Sequence, residues 1–237
     1  MSKPFKFKQF TIEQDRCAMK VGTDGVLLGA WTSLNTHPFS ILDMGAGTGV
    51  ISLMLAQRSS AQQIDAIEID ENAYEQCTEN FENSPWNDRL FCYHASVQEF
   101  AQEIEDQYDV IVSNPPFYTE DYKSQNTQRD LARFEDALPF EHLVICASHL
   151  LNKEGLFSII LPFREEERFT RIAEKSGLFP LRICHVKGTP TSDIKRSLLD
   201  FSFNKVPVET SELVIERSRH QYTQEYINLT KDFYLKM

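Results

Sequence analysis

Short apolar runs alternate along this chain with longer amphipathic stretches, the pattern of parallel strands joined by crossover helices. The runs predict strands at 40–44, 64–69, 90–94, 108–113, 156–161, 180–187 and 197–204, and the stretches between them predict helices at 48–58, 71–82, 97–104, 134–151 and 164–176. The last two strands are joined only by Gly188 to Asp193, which leaves no room for a crossover helix, so they should pair antiparallel. The expected fold is α/β: a seven-stranded mixed sheet with an antiparallel terminal hairpin and helices on both faces. In an open sheet of this kind ligands bind at the carboxyl ends of the strands.

The 237 residues, 41% hydrophobic and 25% charged, suffice for one substantial core, and no Ser/Gly/Pro-rich linker divides them. We expect a single domain, with residues 1–39 forming an N-terminal cap and 40–237 the catalytic core. The basic start has no apolar stretch behind it and no run of 18 apolar residues occurs, so neither a signal peptide nor a membrane span is expected. Five scattered cysteines without a C-x-x-C pair argue against a disulfide frame or zinc site and fit a reduced cytoplasm. The net charge of -11 looks hostile to nucleic acid. Yet residues 60–136 alone carry 18 acidic and 4 basic side chains, more than the whole deficit, so basic patches elsewhere can still hold phosphates.

Two segments carry the candidate chemistry. The first is Asp43-Met44-Gly45-Ala46-Gly47-Thr48-Gly49, a glycine turn closing the first strand. Its G-x-G-x-G spacing places Val50 where a nicotinamide-dinucleotide fingerprint needs glycine, which disfavours an oxidoreductase. Glycines let the backbone approach a ligand, and the following helix offers free N–H groups. Glu68 ends the next strand, 19 residues past Gly49, where a carboxylate can accept both hydrogen bonds of a ribose diol. Nearby Asp70 reads instead as a helix cap.

The second is Asn114-Pro115-Pro116-Phe117, at the exit of the apolar strand 108–113. A double proline by itself serves as a rigid strand exit. Here it holds an asparagine carbonyl and a proline-flanked backbone carbonyl as two fixed acceptors, suited to an NH₂ group. Such acceptors favour the transition state in which that nitrogen gains positive charge on attacking a methyl group. Phe117 would stack on a planar substrate.

With these two motifs the chain resembles the class I S-adenosylmethionine-dependent N-methyltransferases, whose Rossmann-like fold and NPP-aromatic motif serve both adenine-N6 and glutamine-amide methylation. The resemblance implies that Asp43, Gly45, Gly47 and Gly49 line the methionine and ribose portions of S-adenosylmethionine. It further implies that Glu68 holds the ribose, Ser96 and Val97 flank the adenine, and Asn114 with Pro115 binds the target nitrogen. The segment Lys20-Val21-Gly22-Thr23-Asp24-Gly25-Val26-Leu27-Leu28-Gly29-Ala30-Trp31 narrows the match. So does the tail, Tyr222-Thr223-Gln224-Glu225-Tyr226 with Asp232-Phe233-Tyr234-Leu235. Both are similar to the bacterial tRNA (adenine-N6)-methyltransferases that modify the adenine beside the anticodon of a valine tRNA. That resemblance spans almost the whole chain. It implies in-line methyl transfer to adenine N6 in an anticodon loop, where leaving the stack costs less than in a duplex.

For phosphate contact the candidates are the N-terminal lysines, Arg129 and Arg133 after the motif, and Lys187, Lys195 and Arg196 near the last hairpin. A metal is not expected, since the six histidines form no H-E-x-x-H motif. Glu165 to Glu167 should mark a helix's first turn, and the aromatic tail should form a helix packed on the sheet. We expect a monomer acting on tRNA. Two readings stay open from the residues: a protein-glutamine methyltransferase, and a nucleoside- or RNA-binding module without catalysis.

Overall fold

The computed structural model describes residues 3–116 and 138–236. Its centre is β3 (Ser40–Met44), flanked by β4 (Gln63–Glu68) and β6 (Tyr108–Ser113), with β5 (Leu90–His94) beyond β4. On the other side follow β7 (Leu151–Pro162), β9 (Ile194–Ser202), β8 (Phe179–Lys187) and β10 (Glu209–Val214), completing an eight-stranded sheet. Strand β9 runs against both of its neighbours, and all other pairs are parallel.

The sheet thus has one strand more than the seven read from the pattern, and the β8–β9 hairpin is not terminal. Strand β10 pairs parallel with β8 at the edge and is exposed over Glu209 to Glu212, so its first four positions are polar and carry no apolar run to betray it. Strand β9 lies between β7 and β8.

Alternation along the strands sends side chains to two cores. One contains Ile41, Ile64, Val110, Val112 and Leu198, covered by helices α1 (Thr23–Trp31) and α2 (Val50–Arg58) and by Phe81 of α3 (Glu71–Glu82). The other contains Leu42, Met44, Ile67, Ile111 and Phe201, covered by α4 (Val97–Glu103), by α5 (Phe140–Leu150) and by α6 (Glu166–Lys175). Strands buried on both faces need no alternation of polarity, hence the continuous apolar runs. Helix α1 lies very close to α2: a Cβ at Gly29 would stand 2.9 Å from the Met54 sulfur.

Of the helix predicted at 134–151, residues 140–150 are helical and 134–137 lie outside the described residues. Phe163–Glu165 form a 3-10 turn before α6, so Glu165 precedes the helix whose first turn holds Glu166 and Glu167. Glu166 also accepts from Ser197 Oγ and lies 2.9 Å from His185 Nε2, a tie to the sheet beyond any dipole effect. The tail pairs β11 (Glu216–Ser218) with β12 (Gln221–Tyr222), then forms α7 (Gln224–Thr230), capped by Thr223 and set against α1 and β10. At the other end β1 (Phe5–Lys6) pairs with β2 (Thr11–Ile12), and Phe7 bridges to Tyr234.

Candidate active site

Register brings the two sequence motifs together. Met44 at the end of β3 is level with Ile67 of β4 and with Ser113 of β6. The next residues of the three strands are Gly45, Glu68 and Asn114, so the acid and the amide flank the glycine turn from neighbouring strands. With adjacent strands about 5 Å apart, their backbones stand about 10 Å from one another.

The glycine turn is held from below and open above. Gly45 N and Ala46 N both donate to the Ile67 carbonyl, at 2.9 and 3.0 Å. Gly45, Gly47 and Gly49 have φ of 79°, 55° and 76°, which a side chain would oppose. A Cβ at Gly45 or Gly47 would meet nothing within 4 Å, whereas one at Gly49 would strike Phe81 at 2.6 Å and Cys77 at 2.8 Å. The first two therefore face free space and the third is pressed against α3. Glu68, 9% exposed, accepts from Gly47 N at 2.8 Å through one carboxylate oxygen and from Asp70 N at 2.9 Å through the other. Two bonds leave half of a carboxylate's acceptor capacity for a ligand. Asp70 caps α3 through Ala73 N, as its position suggested.

Beneath the turn, Asp43 is fully buried. Its Oδ2 accepts from the Ser52 hydroxyl at 2.7 Å and amide at 3.2 Å, while Oδ1 has no partner. Burial pushes this carboxyl up to about 7, against the pull of the two Ser52 bonds and with a further push from the Glu68 charge. An unpartnered buried oxygen beside an open glycine cradle suits a ligand with hydrogen-bond donors.

Asn114 is half-buried, Pro115 buried and Pro116 half-buried. The strand exit is tied to its neighbour by the Ser113 hydroxyl, which donates to the Met44 carbonyl at 2.9 Å. From above, Gly25 of α1 approaches: its Cβ would stand 3.3 Å from Val50 Cγ1 and 4.0 Å from Asn114 Nδ2. The helix carrying the resemblance at Lys20 to Trp31 is thus a wall of the site. Phe117, Arg129 and Arg133 lie outside the described residues.

Ser96 is the N-cap of α4 in a capping box with Glu99, and Val97 is buried behind it. They follow His94, which is level with Glu68. Ile69 was passed over in the sequence, yet it stands 60% exposed between Glu68 and Asp70 and puts apolar surface beside the acid. Of the basic candidates, Lys187 pairs with Glu212 at 2.7 Å and Arg196 with Asp24 at 2.8 Å, while Lys195 is exposed. Sequence reading also missed Asp24 and Asn80, whose roles depend on partners far along the chain. Among the described residues no three His, Cys, Asp or Glu side chains group as metal ligands.

A Rossmann-like sheet whose central strands present a glycine turn, an acid and an Asn-Pro-Pro exit defines a methyltransferase of class I. Residues 25–161 match the family model described as a methyltransferase small domain. The chain is 65% identical to the tRNA1(Val) (adenine(37)-N6)-methyltransferase of Flavobacterium psychrophilum, over 98% of this chain and 100% of that protein. It is 64% identical to the protein of the same name from Flavobacterium johnsoniae, again over 98% and 100%. It belongs to the tRNA1(Val) (adenine(37)-N6)-methyltransferase family. The same fold recurs in the crystal structure of a predicted O-methyltransferase from Agrobacterium tumefaciens, with a TM-score of 0.72 at 18% identity over 89% of this chain and 96% of the other.

Proposed function

We infer that this protein methylates N6 of an adenine in the anticodon loop of a valine tRNA, with S-adenosylmethionine as donor. The observation that carries the reading is the level placement of Glu68, the glycine turn and Asn114 on three adjacent strands, in a chain of this family.

The residues present fit the donor. Gly45 and Gly47 leave a cradle that a side chain would obstruct, and Asp43 keeps a buried oxygen without a partner for a donor group on the methionine portion. Glu68 would take the ribose hydroxyls with the acceptor sites that Gly47 and Asp70 leave free. Ile69, Ser96 and Val97 would border its adenine. When bound, S-adenosylmethionine supplies a methyl group already activated by its sulfonium, so the protein's task is positioning and charge stabilisation, and we propose that it proceeds without a metal.

Asn114 and the carbonyl flanked by Pro115 would accept the two N–H groups of the target amine. Each of these bonds strengthens as the nitrogen gains positive charge, which stabilises the transition state over the ground state. Pro115 and Pro116 hold the acceptors without rearrangement at the moment of reaction, and Phe117 would stack on the flipped base. We place the reaction in the cytoplasm, where tRNA is met, and propose a monomer. Mass spectrometry of nucleosides from unmodified valine tRNA, before and after incubation with enzyme and isotopically labelled donor, tests the reading. Labelled N6-methyladenosine is expected, and its absence at full cofactor occupancy would refute the assignment.

A further inference from the structure

The segment entering α1 runs along α3, gripped by two buried amides one helical turn apart. Asn80 is 2% exposed, and its side chain makes three hydrogen bonds. Its oxygen accepts from Glu13 N at 2.8 Å, and its nitrogen donates to the carbonyls of Glu13 and Thr48, each at 2.9 Å. Gln76 is 1% exposed and accepts from Arg16 N at 3.3 Å. On the outer side the Arg16 guanidinium closes on Glu75 and Glu79.

From there the segment leads to the wall of the candidate site. Cys17 is buried, and burial, with a further push from the Glu68 and Asp70 charges, raises its thiol. Gln14 folds the loop back by accepting from Val21 N at 2.9 Å. The chain then enters α1, whose Gly25 lies beside Asn114.

Packing alone does not ask for an amide at position 80. Besides Gln76, which also bonds the strap, the inward positions of α3 are Ala73, Cys77 and Phe81, and an apolar side chain would fill the same space. An amide with both donors engaged specifies instead where two backbones stand relative to each other, because a misplaced partner would leave a buried polar group unsatisfied. The backbones it joins are Glu13 of the strap and Thr48 of the glycine turn.

We propose that Asn80 is a positioning residue for the methyl-donor site: it locks the strap of residues 13–22 to the glycine turn, so that both stand in place before the donor arrives. This rests on the donor reading above. Without the amide, the strap and turn would have to be ordered by the ligand itself, which weakens binding without altering transfer once the donor is bound.

The test measures S-adenosylhomocysteine affinity by calorimetry on wild type, Asn80→Asp and Asn80→Leu, with Ser158→Ala as a variant of another buried hydrogen bond, the one from β7 to Asp200 of β9. Asn80→Leu should raise Kd by about tenfold or more and Asn80→Asp by less, since a carboxyl buried against two carbonyls takes up a proton and so keeps the acceptor for Glu13 N–H and one of the two donors. Ser158→Ala should leave Kd unchanged even where it lowers the melting temperature. Hydrogen exchange supplies a second measurement on the milder variant: the ligand should slow exchange over residues 11–22 by a larger factor in Asn80→Asp than in wild type, whose strap is already held. Wild-type Kd in both Asn80 variants, with wild-type strap exchange in Asn80→Asp, would overturn the proposal. Failure of wild type itself to bind S-adenosylhomocysteine would overturn the donor reading and this inference with it.

Discussion

Asn114 concentrates the proposed chemistry in one side chain, and it makes the sharpest residue-scale prediction. Asn114→Ala should leave folding and donor binding nearly intact, yet slow methyl transfer by on the order of 10²-fold, as loss of a transition-state hydrogen-bonding group does elsewhere. Asn114→Asp, which keeps an acceptor, should retain partial activity. Single-turnover rates on unmodified valine tRNA at saturating enzyme and donor check both, and a wild-type rate in Asn114→Ala would return Asn-Pro-Pro to a rigid turn. Asp43 yields a pH prediction. Its carboxyl is raised to about 7 in the folded protein, so between the ordinary carboxylate range and about 7 the unfolded chain holds fewer protons than the folded one. Stability of the ligand-free protein should therefore fall as pH rises through that window and level off above about 7. Asp43→Asn removes this contribution, so melting temperatures at pH 5 and 7.5 should differ less in the variant. An equal pH response in both proteins would show that the carboxyl is not raised.

At the scale of elements, α1 does two jobs with two glycines one turn apart. Gly29 permits contact with Met54 of α2, and Gly25 sits against Val50 and beside Asn114. Overpacking a close helix contact costs about 1–3 kcal/mol, so Gly29→Val should lower the melting temperature. Gly25→Val should act on the site instead, depressing methyl transfer by more than its loss of stability explains. Thermal melts and single-turnover rates on both variants separate these effects. Wild-type transfer in Gly25→Val would remove α1 from the wall of the site.

Across the whole molecule, charge decides how RNA can approach. The acidic excess of residues 60–136 includes β4, β5, α3 and α4, which leaves the β7–β9 side as the more favourable approach. There Lys195 is exposed, while Arg196 reaches Asp24, 172 residues away in sequence, and so ties β9 to the first turn of α1. Lys195→Ala should reduce the slope of log K against log salt for tRNA by about one unit. Arg196→Ala should leave the slope nearly unchanged and instead weaken the seat of α1. Filter binding over a salt series decides it: equal slope changes in the two variants would put both residues on phosphates.

The α/β architecture was legible in the residues alone, as were the turn and strand ends that frame the candidate site, because these rest on local signals. Strands buried on two faces must be apolar throughout, a backbone at positive φ selects glycine, and a helix cap selects aspartate at 70. Hence β3, β4 and β6 and the turn at 45–49 could be placed from local pattern, Glu68 from its spacing and Asn114 from its motif, with their proposed roles implied by the family resemblance. Tertiary structure decided what depends on distant partners. Strand β10 is polar at an exposed edge and exists as a strand because β8 offers it a ladder. Arg196 looks like any surface arginine until Asp24 is brought to it. Asn80 reads as one more polar residue in a polar helix, and only folding, which places Glu13 and Thr48 against it, makes that amide a joint. Propensity and periodicity act over a few residues, whereas hydrogen-bond satisfaction in a buried position is settled by whichever backbones the whole chain delivers there.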